Sequence, residues 1–488
     1  MDRADALRMG LLALGGVIST AAAYALLRRL TRKGDAGRPD PLNSEDGVPP
    51  IFKFVLTGGP CAGKTTSLMR LSTFLRDRGF LVYVVPEAAT LLFTNGVSFK
   101  DLESETFRFG FQWSLMETQM NLEDAFERIA RAGKQKAVLI CDRGAMDGKA
   151  YMDKESWDEL LVSRQLSEGA IREHRYHAVF HMVTAADGAS TYYNLDNPAR
   201  RESAEAAVAQ DAGTQQAWLG HPHHIVIDNE GCTFEGKLQR LLRIAARLVG
   251  LPSTERAAKK FVLKDKPDMS KFTVPWDECI IEKVYLRTNT AKVNFGAWAS
   301  MRSLDPDEAI PRATDENDVR IEYVAIRKRS QNGFDSFGQT EVSIHDSPSG
   351  PERRELKRIL TRREYHSAKT LLADPARCII RQKRISFIYK NQSCHINQFL
   401  EPVRDIIVFH VQTEDARQVE IPPFIEIDSD VGELEDESDY SAYIVSLKGR
   451  PPKMSPLARS PQARSPKSPV TRNRKHFVGD ADWGHFNS

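Results

Sequence analysis

Gly58-Gly59-Pro60-Cys61-Ala62-Gly63-Lys64-Thr65-Thr66 carries the strongest chemical signal in the chain. It fits G-x-x-x-x-G-K-[ST], follows the apolar run Phe52–Leu56 and precedes a helical pattern starting near Lys64. Glycines let backbone N–H groups turn toward phosphate oxygens, and a helix N-terminus adds partial positive charge. Lys64 is placed to reach the β- and γ-phosphates of GTP or ATP, and the Thr65 hydroxyl to ligate Mg²⁺. The competing reading is a Gly-rich strand–helix turn. Two acids stand where neighbouring strands should end. FLVYVVP closes on Glu87, and KAVLICD closes on Asp142-Arg143-Gly144, with Asp147 three residues further on. Asp142 is a candidate Mg²⁺-side ligand, directly or through water, and Glu87 a candidate base for an attacking hydroxyl. Either could instead be a solvated loop acid. Arg200 and Arg201, in the polar segment 191–205, read as lid arginines or as a surface turn. No N-K-x-D follows, so nothing here favours guanine over adenine.

A second cationic pattern lies in the other half. Arg327 and Arg329 are two apart, as are Arg381 and Lys383, so each pair shares one face of a strand. Closed into a barrel, such strands would present an electropositive interior able to hold a polyphosphate or a phosphoinositide headgroup. The alternative is a solvated outer face.

The elements that must position these groups follow from the patterning. The chain has 488 residues, enough for two to four folded units. Hydrophobic residues make up 41% and charged residues 27%, which allows a core and excludes wholesale disorder. A net charge of +2 argues against a surface given over to nucleic acid. The six cysteines are scattered with no C-x-x-C pair, which fits a reducing compartment. Residues Gly10–Leu27 carry no charge and are followed by Arg28, Arg29, Arg32 and Lys33. This reads as an N-terminal transmembrane helix within residues 1–35, with the bulk of the chain facing the cytosol. A targeting peptide and a soluble helix are the alternatives. A linker at 36–50 leads to residues 51–250, where strand-like runs alternate with helical patterns at segments such as 64–78 and 114–132. That alternation predicts a parallel α/β sheet with helices on both faces. A second linker, 251–271, leads to β-rich residues 272–431, interrupted by one helical stretch at 351–373. Residues 432–488, acidic and then basic with repeated Ser-Pro, read as a disordered tail.

FVLTGGPCAGKTT, VPEAAT, VLICDRGAMDGKAY and the stretch from NPARRESAEAA to HPHHIVIDN closely resemble the translocation-defect (Ttd) family over about 50–250. Its P-loop NTPase domain is akin to the kinase domain of NadR. The resemblance implies a GTP-binding protein, with phosphoinositide binding and membrane-protein trafficking. The kinase kinship implies Glu87 as a base and Asp142-Arg143 as the start of an Asp-Arg-Ser element, in which Gly144 replaces the Ser. CIIRQKRISFIYKNQSCHINQFLEP, AIRKRSQNGFDSFGQTEV and PPFIEIDSD look like strands of CYTH domains, an antiparallel β-barrel fold that binds triphosphates. Those domains open with E-x-E-x-K. Here Ile280-Ile-Glu282-Lys283-Val284 keeps one Glu in register, and His395-Ile-Asn397 replaces an acidic pair. The resemblance implies a phosphate-binding site that includes Glu282 and Lys283, and binding without fast hydrolysis.

Overall fold

The structure is a computed structural model. It describes residues 49–189, 203–251, 258–287, 319–347, 350–404, 406–412, 419–428, 433–434 and 440–449. The expected anchor at 1–35, the lid arginines Arg200 and Arg201, and the Ser-Pro part of the tail lie outside them. No helix among the described residues is long and apolar enough to cross a membrane.

Five parallel strands form the first sheet: β1 (Ile51–Gly58), β2 (Leu81–Val85), β3 (Ala137–Asp142), β4 (Ala178–Met182) and β5 (His224–Ile227). Their order is β2-β3-β1-β4-β5. Near-continuous apolar runs suit strands buried on both faces. Phe52, Phe54 and Leu56 of β1 enter one core with Leu71, Leu75, Leu241 and Ala245. Those partners come from α1 (Lys64–Arg76) and, at the end of the domain, from Phe234–Leu248. On the opposite face Val55 joins Met116, Trp157 and Trp218. Met116 belongs to α3 (Glu105–Ala132), which follows the short α2 (Ala88–Thr94), and Trp157 to α4 (Lys154–Ser163). Then come α5 (Glu168–Glu173), α6 (Ala204–Ala217) and α7, the helix Phe234–Leu248.

The second half is one antiparallel sheet: β6 (Ala258–Val262), β7 (Trp276–Leu286), β8 (Val319–Gln331), β9 (Phe334–Ser347), β10 (Gly350–Leu360), β11 (Ile380–Tyr389), β12 (Gln392–Glu401), β13 (Ile407–Gln412) and β14 (Glu433–Leu434). The order is β10-β9-β8-β7-β11-β12-β13-β6-β14, and among the described residues no ladder joins the two ends into a hydrogen-bonded barrel. The sheet nevertheless curls. Lys283 on β7 feels the charges of Glu355 on β10 and Lys260 on β6. Three and four strand spacings of a flat sheet would hold them roughly 14 and 19 Å away.

Three expectations need correction. The stretch 351–373 is helical only at α8 (Arg362–Leu371), and its first part is strand β10. The expected linker 251–271 contains β6, which pairs with β13. Part of the expected tail is folded. In α9 (Ala442–Val445) Tyr443 stacks on Tyr323 at 4.8 Å, and Tyr440 is buried.

The outer face of this sheet carries two apolar clusters. Val284, Ile326 and Phe337 pack under Tyr365 and Ala368 of α8, and Ile385 and Phe387 pack against Phe272 and Phe424. The inner face carries a further apolar cluster, including Tyr285, Ala325, Phe399 and Val408, beside a group of cations.

Candidate functional site

The loop between β1 and α1 is built by close approach. Gly58 has φ 137°, and a Cβ there would lie 1.9 Å from the Met182 carbonyl oxygen. Three side chains then pin the loop. The Asp211 carboxylate on α6 accepts the Gly59 N–H at 2.5 Å, the Thr184 N–H at 3.3 Å and His181 Nε2 at 3.2 Å. Burial would raise the Asp211 pKa, but His181 and the two backbone donors hold it below the usual value. Thr184 Oγ1 donates to the Pro60 carbonyl at 2.5 Å. Lys237 of α7 donates to the carbonyls of Val183 at 2.6 Å and Ala62 at 3.4 Å. Cys61 sits in the left-handed region at φ 55°. Thr65 and Thr66 open α1, exposed at its N-terminal turn.

Lys64 Nζ donates to the carbonyls of Gly58 at 3.0 Å and Gly59 at 2.8 Å. Burial, and next the Arg143 guanidinium, pull its pKa down to about 7, against Asp142, Glu87 and Asp147. Asp142 closes β3 as expected. Burial and the neighbouring Glu87 push its pKa up, and among the described residues no donor pairs with its carboxylate. Asp142 stands near Lys64, one residue before the exposed Thr65, and a carboxylate and a threonine hydroxyl are oxygen donors of the kind Mg²⁺ takes. Glu87 caps α2, accepts from Thr90 Oγ1 at 2.8 Å and lies 3.5 Å from Arg143 Nε. Arg143 has φ 69°, an uncommon backbone state for a non-glycine residue. Lys64, Glu87, Asp142 and Arg143 thus converge on one site.

Asp147 serves differently. It accepts from Thr57 Oγ1 at 2.8 Å, Trp218 Nε1 at 2.7 Å and the Gly144 N–H at 3.0 Å, which makes it the staple of this turn. Gly144 has a packing reason: a Cβ there would lie 2.8 Å from Trp218 and 2.9 Å from Val55. A serine fits at this position only if the Trp218 ring moves.

In the second sheet the register separates the expected cation cluster. Arg327 pairs with Lys283, and Arg384 with Cys279, so Lys283, Arg327, Arg329 and Arg384 share the inner face. Arg381 pairs with Glu282 and Lys383 with Ile280, which puts both on the outer face. There Arg381 meets Glu401 at 3.4 Å and Lys383 meets Glu278 at 2.7 Å. Glu282 also faces outward, accepting from Tyr365 Oη at 2.7 Å and Lys369 Nζ at 2.5 Å. Convergence of Arg381 and Lys383 with Arg327 is therefore corrected. Arg384, one position along, takes their place.

Arg329 lies further along the inner face, where the two halves of the chain meet. It pairs with Glu173 of α5 and with Asp277 at 3.3 Å. Glu173 also accepts from Ser336 Oγ at 2.5 Å and Arg172 at 3.0 Å. Arg172 further donates to the carbonyl of Leu219 at 2.5 Å and to Gln331 Oε1 at 2.7 Å. Arg329 is thus a structural interface residue, not a free phosphate ligand.

What remains between this interface and the Tyr323–Tyr443 stack is a half-buried cluster of Lys283, Arg327 and Arg384. Among the described residues no carboxylate forms an ion pair with any of the three. Arg384 Nε donates to Asn397 Oδ1 at 2.7 Å, so its partner across the β11–β12 ladder is neutral. Burial, then Arg384 and Arg327, bring Lys283 down to about 7; burial, with Arg327 adding to it, brings Arg384 down to about 10. Lys260, His395 and His410 face the same hollow, because His395 pairs with His410 and His410 with Lys260. Of these inner groups the sequence names Lys283 and Arg327 as phosphate ligands and His395 without that role, and does not single out Lys260, Arg384 or His410. The alternation signal was present, but at both parities of β11.

Residues 53–235 match the family described as "AAA domain". No curated protein matches the chain. Among solved structures, that of the PH1819 protein from Pyrococcus horikoshii OT3 is similar at 12% identity. The likeness covers 33% of this chain and 79% of that one, with a TM-score of 0.21. Residues 53–235 are a P-loop NTPase-like domain, a module of the nucleotide-binding kind.

Proposed function

We propose that the chain is a membrane-anchored regulator that binds GTP or ATP, hydrolyses it slowly, and carries a second domain for a phosphorylated ligand. By the resemblance to the Ttd family, its role is in membrane-protein trafficking. The observation that carries the nucleotide part is the pinned loop with Lys64 beside an unpaired Asp142. Thr65 and Asp142 would hold Mg²⁺, which supplies charge neutralisation at the phosphates. Glu87 is already engaged by Thr90 and Arg143, which suits slow turnover. The test is to identify the nucleotide retained by protein lacking residues 1–35 and to measure its turnover. Protein that retains none, and binds none when offered, sinks the proposal.

A second reading, a small-molecule kinase, is favoured by the gathering of Glu87 and Asp142 around Lys64 at the strand ends. Nucleotide consumption that depends on an added hydroxyl compound marks the kinase, and vesicle binding that depends on nucleotide marks the regulator. Vesicle binding indifferent to Lys64→Ala, with no nucleotide ever retained, would mark an adaptor whose P-loop is structural.

The ligand of the second domain is a polyphosphate or a phosphoinositide headgroup, held by Lys283, Arg327 and Arg384. Reversing Arg327 and Arg384 to Glu is expected to abolish tripolyphosphate binding in a titration, whereas reversing the outward Arg381 and Lys383 leaves it unchanged. The opposite pattern would move the site to the outer face. For the anchor, intact protein should stay with membranes through carbonate extraction, and its full recovery in the supernatant would remove that part of the reading.

A further inference from the structure

The inner hollow gathers like charges from several strands. Around Lys283 stand Arg384 from β11, Arg327 from β8, Lys260 from β6 and His410 from β13, and the acid Glu355 from β10. His395 from β12 faces Arg384 and Arg327. Glu355 is itself occupied by Lys357 at 3.1 Å. Along β8 the cluster is flanked by the Tyr323–Tyr443 stack on one side and by the Arg329–Glu173 pair on the other. Repulsion in such a place is relieved in one of two ways: a lysine sheds its proton, or an anion enters.

We propose that the hollow lined by Lys283, Arg327 and Arg384 takes its anion together with a proton at Lys283, and so binds multiply charged phosphate-like anions more tightly as pH falls through neutrality. This rests on the reading of that hollow as the anion site. The balance is simple: a solvent or buffer acid gives up the proton, the Lys283 amine becomes an ammonium, and three fixed cations face the ligand.

The sign follows from the neighbours. Burial and the adjoining guanidinium groups hold Lys283 near 7, so a large share of it is neutral at physiological pH. An anion reverses the repulsive part and raises that value in the complex. Uptake is then largest between the two values, and affinity falls as pH rises through that window, by at most about tenfold per pH unit for one proton. Burial, and next Arg384, hold His395 near 3, and His410 lies well below its usual value for the same kind of reason. Both therefore stay neutral unless the ligand is highly charged.

The test uses trimetaphosphate, a cyclic trianion with no titrating group near neutrality, and the full chain in detergent carrying Lys64→Ala to silence the P-loop. Calorimetric titration in two buffers of different protonation enthalpy reads the proton count directly. Uptake of roughly 0.5–1 proton per anion at pH 7.5 is expected. Lys283→Arg, which keeps the charge but cannot titrate, should remove that uptake and flatten the pH dependence. Binding without uptake in the Lys283-containing chain overturns the proposal and leaves the anion site standing. Equal uptake after Lys283→Arg overturns the assignment to Lys283. No binding at any pH overturns the anion site as well. The first measurement needs no substitution at Lys283, so misfolding of the arginine variant cannot rescue the idea.

Discussion

Lys64→Ala is expected to weaken nucleotide binding by roughly 100-fold or more while leaving the fold intact. Two charge-assisted hydrogen bonds to phosphate oxygens are lost, each worth about 1.5–3 kcal/mol. The loop loses the bonds from Lys64 to the Gly58 and Gly59 carbonyls but keeps its other anchors, because Asp211, Thr184 and Lys237 hold Gly59, Pro60 and Ala62. Stability should not fall. A lysine whose folded pKa is lowered to about 7 disfavours the folded state throughout the range where the unfolded chain would protonate it. That cost is full below the folded value and fades as pH rises toward the ordinary value of 10.5. Removing Lys64 removes the cost, so at pH 7 the variant should melt no lower than its parent. Titration with a fluorescent nucleotide analogue and a thermal scan check both halves. Equal affinity in the two proteins would end the phosphate-loop assignment.

Glu173→Ala should cost about 3–5 kcal/mol, the range for breaking a buried ion pair from one side. Glu173 is 6% exposed, Arg172 3% and Arg329 4%, so this is a place where unpaired charge has nowhere to go. The carboxylate lies between the two guanidinium groups and also accepts from Ser336. Without it two buried arginines face each other, with Asp277, 3.6 and 3.3 Å away, and Glu168, 3.5 Å from Arg172, as the remaining acids. The loss should appear as a lower denaturation midpoint. Adding Arg329→Met to Glu173→Ala should recover part of it, since one of the stranded charges is then gone. A double variant no more stable than the single one would show that the charges are tolerated there and that the cost arises elsewhere.

The P-loop was legible because everything it needs lies within nine consecutive residues and their flanks. The five strands of the first sheet were legible for a related reason: being buried on both faces, they read as unbroken apolar runs. The second sheet was harder. On β11 both parities carry cations, Arg381 and Lys383 on one and Arg384 on the other, so alternation alone cannot say which faces inward. Pairing with β7 decides it, and that partner lies about a hundred residues away in sequence. Strand β10 was misread because Leu356, Ile359 and Leu360 have helical spacing. Its ladder with β9 overrides that local preference. The true helix start was visible in Thr361-Arg-Arg-Glu364, whose two ends cap one another. No local pattern announces the Glu173–Arg329 contact, because each residue alone looks like an ordinary surface charge.

Strand β6 has a consequence for how the protein is made. Its partner β13 lies roughly 150 residues downstream, about 8–30 s of translation at ~5–20 residues per second. Throughout that interval Ala258–Val262 has been synthesised but its partner has not, while the P-loop domain is already complete on its N-terminal side. The first residue of the second sheet to leave the ribosome is thus among the last to be paired. Lys259 and Lys260 stand in the middle of this short segment, and their charges discourage it from pairing with a neighbouring nascent chain during the wait.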